Sequence, residues 1–306
     1  MKIIKAKVEE IEQQPGYSGL IKQIERGGRV CYKSEDKITD DSAERFVNVL
    51  IKHGHYAPLE HGTVYLRFPI YQDGGDLALA SFFKNNRFSY VHDVYLDKPD
   101  IGLSTGKEIV GYNYVTTNYR VIIENDLEEK LKDFICNEPE VHHRRRRSFM
   151  VTCDRGVTHE LVRHRVFSFN QESTRYVNYS QDKWDNEITV IEPCFWDKDD
   201  PRYYTWKDAC KAAERYYMEL LQDGATPQEA RSVLPNSMKT ELLITGFEDF
   251  DEDNNIDELG WNHFLKLRCD KAAHPQAREI AFMIKDLLYP PQAQKELIKD
   301  YEVEQE

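Results

Sequence analysis

The sequence predicts a mixed fold of the α/β (α+β) class, with strands and helices interspersed along the chain. Three observations carry this expectation. TVYLRF (63–68) alternates as a half-buried strand does, and SFMVTC (148–153) reads as a second strand. Ala43, Phe46, Val47 and Leu50 recur at the spacing of one helix face. Thr226-Pro227-Gln228-Glu229 is a capping box with proline at the first helical position, a start signal for a helix.

Taken in order, MKIIKAKVEEIEQQ alternates like an edge strand and has no apolar h-region, which argues against a signal peptide. Thr39-Asp40-Asp41 opens a helix, with acids where the helix dipole favours them, and Gly54 stops it. GHYAPLEHG (54–62) is a loop that runs into TVYLRF. From about 70 to 147 the periodicity weakens, and this stretch reads as an insert within a single domain spanning 1–306. Its basic run HHRRRR (142–147) reads as a solvated charge run before a strand. After SFMVTC, DRGVTHELVRHR places Val157, Leu161 and Val162 on one helical stripe, with Arg163, His164 and Arg165 at the helix end and FSFNQESTRY in a loop. The last third reads as mostly helical. Trp206–Gln222 carries an apolar face of Ala209, Ala213, Tyr216, Tyr217, Leu220 and Leu221, and the capping box launches ARSVL. An acidic loop, EDFDEDNNIDE, precedes a helix around GWNHFLKLRC, and a final helix over about 275–288 is stopped by Pro290-Pro291.

The 306 residues suffice for a full core, and 40% hydrophobic with 31% charged residues is a soluble globular balance. No apolar run approaches the roughly 20 residues of a membrane span. Six scattered cysteines without a CxxC pair argue against zinc and for reduced thiols, hence a cytoplasmic location. A net charge of −13 is the wrong sign for a general nucleic-acid binder. Local basic density in an acidic chain suits a pocket for a small anion.

RHRVFSFNQESTRY (163–176) holds three arginines, a histidine, three hydroxyl residues, two carboxamides and an acid among aromatics. Ser173, Thr174 and Arg175 form the donor set that holds a phosphate dianion. Arg163, His164 and Arg165 add charge, while Asn170 and Gln171 can read a heterocycle edge. Together they suggest a nucleotide pocket.

RHR followed after seven residues by Ser173 resembles the signature of flavin-dependent thymidylate synthases. RVCY (29–32), GHYAPLEH, ARSVLP with Thr240-Glu241, and HFLKLRCDKAAHPQAREIA (263–281) are similar to further family elements in the same order. The resemblance covers about residues 20–69 and 148–290 and implies a mostly antiparallel central sheet flanked by helices. It also implies reductive methylation of dUMP to dTMP with 5,10-methylenetetrahydrofolate as carbon donor and FAD and NADPH as reductants. A homotetramer with shared active sites is implied, with no nucleic-acid or membrane partner. By the same resemblance, Glu160, Arg163, Gln171, Ser173, Thr174, Arg175, Arg231 and Arg268 bind dUMP, and His55, Arg163, His164, Arg165, Gln171 and His263 contact FAD. Arg268 is the expected catalytic residue, a fixed charge against the anion that builds on the uracil ring. The family uses no enzyme cysteine on uracil, and Cys153 and Cys269 read as small buried hydrophobes.

Gln171 stands where the common motif has glutamate, which removes a carboxylate, and Ala57 replaces a frequent hydroxyl residue. Two alternatives stay open: a catalytically degenerate nucleotide-binding relative, and a nucleic-acid-binding protein using the basic region 142–180.

Overall fold

The computed structural model describes residues 1–74, 78–102, 106–175, 178–180, 186–249 and 260–290. The chain opens with β1 (Lys2–Ile4), β2 (Lys7–Glu10), α1 (Gly16–Tyr32) and α2 (Ser42–Lys52), followed by β3 (Thr63–Tyr71). Then come α3 (Ala78–Lys84), β4 (Tyr90–Ile101), β5 (Glu108–Asn118), α4 (Tyr119–Glu124), α5 (Glu128–Leu131) and β6 (Ile135–Cys136). The second half holds β7 (Arg146–Asp154), α6 (Arg155–Leu161), β8 (Ser168–Gln171), β9 (Thr189–Ile191), α7 (Pro201–Gln222), α8 (Pro227–Ala230), β10 (Lys239–Phe247), α9 (Trp261–Arg268) and α10 (Pro275–Leu288).

Two four-stranded antiparallel sheets organise these elements, in the orders β2-β7-β10-β8 and β4-β5-β3-β6, beside a parallel β1-β9 pair. In the first sheet, Leu242 and Ile244 of β10 and Phe149, Val151 and Cys153 of β7 face one core with Leu161, Trp261, Phe264, Ile280 and Ile284. Complete burial of each large apolar side chain here stabilises by roughly 1.5–3 kcal/mol. The Trp261 indole also donates to the Gly246 carbonyl at 3.2 Å, so its polar edge is satisfied inside the core. The second sheet packs Leu66, Phe68 and Val115 against Ile24 of α1, Val47 and Leu50 of α2, and Ile122 of α4.

The capping box forms as expected, with Thr226 and Glu229 bonding each other's ends of α8. Elsewhere the chain departs from its sequence pattern. The segment after RHR is not all loop, since Ser168–Gln171 pairs with Thr245–Leu242 as β8. Its polar members Ser168 and Asn170 are the buried ones, which inverts the usual signal of a strand. β10 likewise interrupts the expected helical third. Helix α7 starts at Pro201, capped by Asp200, and buries Tyr203, Cys210 and Tyr217, leaving Ala209 and Tyr216 exposed. Val162 is exposed rather than on the core stripe. The acidic loop falls mostly within 250–259, outside the described residues.

The HHRRRR run is structural rather than solvated. Arg144 is buried, donates from Nε to the Glu248 carbonyl at 2.5 Å and lies over the Tyr90 and Phe247 rings. Arg146 donates to the Glu60 carbonyl at 3.0 Å and to Ser168 Oγ at 3.0 Å. Burial pushes its guanidinium down to about 10. Arg147 grips Glu10 at 2.6 Å through Nε. The run therefore stitches the second sheet to the first, and a cavity of about 680 Å³ opens at this seam beside Tyr65 and Arg146.

Candidate active site

Helix α6 is capped by Asp154, whose carboxylate accepts from Val157 N at 2.7 Å and fixes the first turn. That places Glu160 at the last turn of α6 and RHR just beyond it. From the other side, α9 ends at Arg268. Its Nε donates to His164 Nε2 at 3.1 Å and its Nη1 to Glu160 Oε2 at 3.3 Å. An imidazole that accepts at Nε2 carries its ring proton at Nδ1. Burial, then the Arg268 and His263 charges, push His164 down to about 4, so it is neutral near pH 7. The ring packs on Phe264 with centroids 4.7 Å apart and meets His263 at 5.9 Å. Burial and the Arg163 charge lower Arg268 from its usual value and Glu160 opposes them, yet a guanidinium stays protonated at neutral pH. A cavity of about 220 Å³ opens beside Glu160, bounded by Asp154, Asn236, Ser237 and His274.

A second group gathers around the loop that follows β8. Thr174 is buried and its hydroxyl accepts from Arg231 Nη1 at 3.3 Å. Ser173 is tied through its backbone N–H to the Cys31 carbonyl at 3.1 Å, and its Oγ accepts from Arg175 N at 3.3 Å. Tyr32, next to Cys31, hydrogen-bonds His55 at 3.2 Å, which brings the GHYAP loop towards the same region. Gln171 stands between the groups, its amide bonded to Thr158 Oγ1 of α6 at 3.1 Å and Thr240 Oγ1 of β10 at 3.3 Å.

The sequence-derived residues thus fall into two sets within one chain. Glu160, His164, His263 and Arg268, with Arg163 close enough to act on Arg268 through its charge, form one. Ser173, Thr174, Arg175 and Arg231, with His55 nearby, form the other. Arg163, Arg165, Arg175 and Arg231 are exposed, whereas His164 is interior, so its ring reaches Arg268 more directly than solvent.

Sequence patterning missed the charged chain beneath the loop. Glu172 is 2% exposed and accepts from Lys239 Nζ at 3.0 Å; Lys239 also meets Glu241 at 2.9 Å, and Lys33 pairs with Glu241. The opposing carboxylates Glu172 and Glu241 outweigh burial and hold Lys33 up at about 12. The alternation Lys239-Thr240-Glu241 was the available signal, once β10 is seen as a strand. Cysteine chemistry finds no support nearby: burial pushes the Cys31 thiol to about 11 and Cys153 well above its ordinary value. No group of three or more potential metal ligands occurs among the described residues.

Fold and site define an antiparallel-sheet protein that gathers guanidinium, imidazole and hydroxyl groups from distant segments around one signature stretch. Residues 145–290 match the sequence profile of the family described as thymidylate synthase complementing protein. The chain is 30% identical over 169 residues to a flavin-dependent thymidylate synthase of Pyrococcus furiosus, covering 55% of this chain and 64% of that protein. It is 28% identical over 192 residues to the one from Pyrococcus horikoshii (61% and 74%). It is 32% identical over 127 residues to the one from Geobacter sulfurreducens (42% and 49%). The chain spans 64%, 55% and 48% of the length of the flavin-dependent thymidylate synthases of Pyrococcus furiosus, Pyrococcus abyssi and Thermococcus onnurineus, about half to two thirds of each. No helix among the described residues is long and apolar enough to cross a membrane.

Proposed function

We propose that the protein is a flavin-dependent thymidylate synthase that methylates dUMP to dTMP, using 5,10-methylenetetrahydrofolate as carbon donor and NADPH as reductant. The observation that carries this reading is Arg268 of α9, held by Glu160 and His164 of the signature segment more than a hundred positions earlier. A permanent cation fixed in this way stabilises negative charge developing on a pyrimidine ring without proton transfer. Its two partners hold the guanidinium in place before substrate arrives, so little reorganisation is needed during reaction.

Ser173, Thr174, Arg175 and Arg231 would take the phosphate of dUMP, offering hydroxyls and guanidiniums with backbone N–H groups. Gln171 would orient the base by hydrogen bonds, since a carboxamide cannot act as the acid or base that a glutamate could. The donor set also fits FAD: the exposed Arg163 and Arg165 suit a pyrophosphate, while His55, His164, Gln171 and His263 complete the expected contacts. Bound flavin would supply the hydride that reduces the transferred carbon.

The chain is read as one synthase-like unit carrying residues 70–147 as an elaboration, acting in the cytoplasm as a homotetramer. Active sites shared between subunits are part of the same reading. A visible spectrum of the purified protein, recorded before and after NADPH and dUMP, tests the reading. A flavin band that bleaches is the expected result; a colourless protein that FAD cannot reconstitute refutes it.

A further inference from the structure

Every polar atom of Glu172 is engaged. Its N–H donates to the Glu241 carbonyl at 2.8 Å, and its carbonyl accepts from Arg155 Nη1 at 3.2 Å. Its carboxylate accepts from Lys239 Nζ at 3.0 Å and from the Tyr179 hydroxyl at 3.3 Å. The last contact spans seven positions and closes the base of the loop that carries Ser173, Thr174 and Arg175. Lys239 passes the chain on to Glu241, which pairs with Lys33 at the left-handed C-cap of α1. The same end of α1 receives Ser173 N at the Cys31 carbonyl. Strand β10, helix α1 and both ends of the loop are therefore tied through one buried carboxylate.

Electrostatics alone gives such a carboxylate no reason to lie beneath an anion-binding loop, because like charge weakens anion affinity. We propose that Glu172 is the positioning residue of this loop, holding Ser173–Arg175 in the geometry that receives the substrate phosphate while never touching the ligand. This inference rests on the proposed function and concerns the same site.

The two ideas about Glu172 make opposite predictions. If the carboxylate only adds charge, Glu172→Gln relieves repulsion and tightens dUMP binding. If it positions the loop, Glu172→Gln raises the dissociation constant and KM for dUMP by about tenfold, the factor that one lost charge-assisted bond carries, with kcat and flavin content little changed. Tyr179→Phe keeps the charge and removes one staple, so a smaller rise in the same direction is expected, and it carries the test should Glu172→Gln fail to fold. A control at Ile122, in the core of the other sheet and chosen to match the fall in Tm, is expected to leave dUMP affinity unchanged. Unchanged or tighter dUMP binding in Glu172→Gln, or equal weakening in the Ile122 control, overturns the inference and leaves the synthase reading intact. Wild-type holoenzyme that does not bind dUMP refutes that reading and the inference with it.

Discussion

Arg268 and His164 meet through a single N–H···N bond of 3.1 Å, a guanidinium donating to a neutral imidazole. The contact is asymmetric: burial first and then the arginine's charge keep the histidine deprotonated, whereas the arginine keeps a second partner in Glu160.

Replacing Arg268 by lysine keeps a cation and loses the fork that reaches both partners. Tritium release from C5-labelled dUMP is expected to fall about 10²–10³-fold, the scale of one removed electrostatic stabiliser. Activity within a few-fold of wild type would contradict the assigned role.

Acid should weaken the fold through two buried histidines. His164 titrates near 4 and His61 near 3 when folded, against an ordinary value of 6.5. Below 6.5 the unfolded chain binds protons that the folded chain refuses, so stability is full above that pH and falls as pH drops towards 4. For His164 the loss is no more than about 3 kcal/mol. Urea midpoints between pH 7.5 and 4 measure it, and His164→Gln should flatten the slope.

How much of this could be read from the residues depended on where polarity points. Helices α2 and α10 were legible because their apolar residues face inward at helical spacing. β8 was not, because it buries Ser168 and Asn170 and leaves Phe169 only half covered. β10 escaped notice for a related reason: Lys239, Glu241 and Thr245 break its apolar run, yet Lys239 meets Glu172 just beyond β8, Glu241 meets Lys33 at the end of α1, and Thr245 meets Ser148 of β7. The candidate site was legible as a set of residue types. The pairing of Arg268 with His164 was not, because only tertiary folding brings α9 against the end of α6. The arginine run misled because clustered charge normally signals solvent, and here backbone carbonyls and aromatic faces receive it.

Gly246 sits on β10 where an added Cβ would lie 2.7–2.9 Å from the Phe167 ring. Gly246→Ala should therefore destabilise by about 1–3 kcal/mol through overpacking. Because Phe167 lies three residues beyond His164, weakened flavin retention is expected as well. Thermal unfolding and the ratio of flavin to protein absorbance test both effects.

Thr226 tests how far the short helix α8 supports Arg231. Thr226→Ala removes the capping box of α8, at a cost of about 1 kcal/mol. Because Arg231 follows that short helix directly, KM for dUMP should rise while kcat holds. Steady-state kinetics beside a melting curve separate the two effects.

The buried arginine clasp between the sheets has a practical corollary for engineering. Residues 70–147 look like material that could be trimmed to shorten the protein, but the strand leaving that stretch delivers Arg144, Arg146 and Arg147 to partners on both sides of the seam. A deletion joining β3 directly to Ser148 would remove three clasps at once and uncover the inner faces of α1 and α2. The shortened chain would lose its own scaffold along with the excised strands.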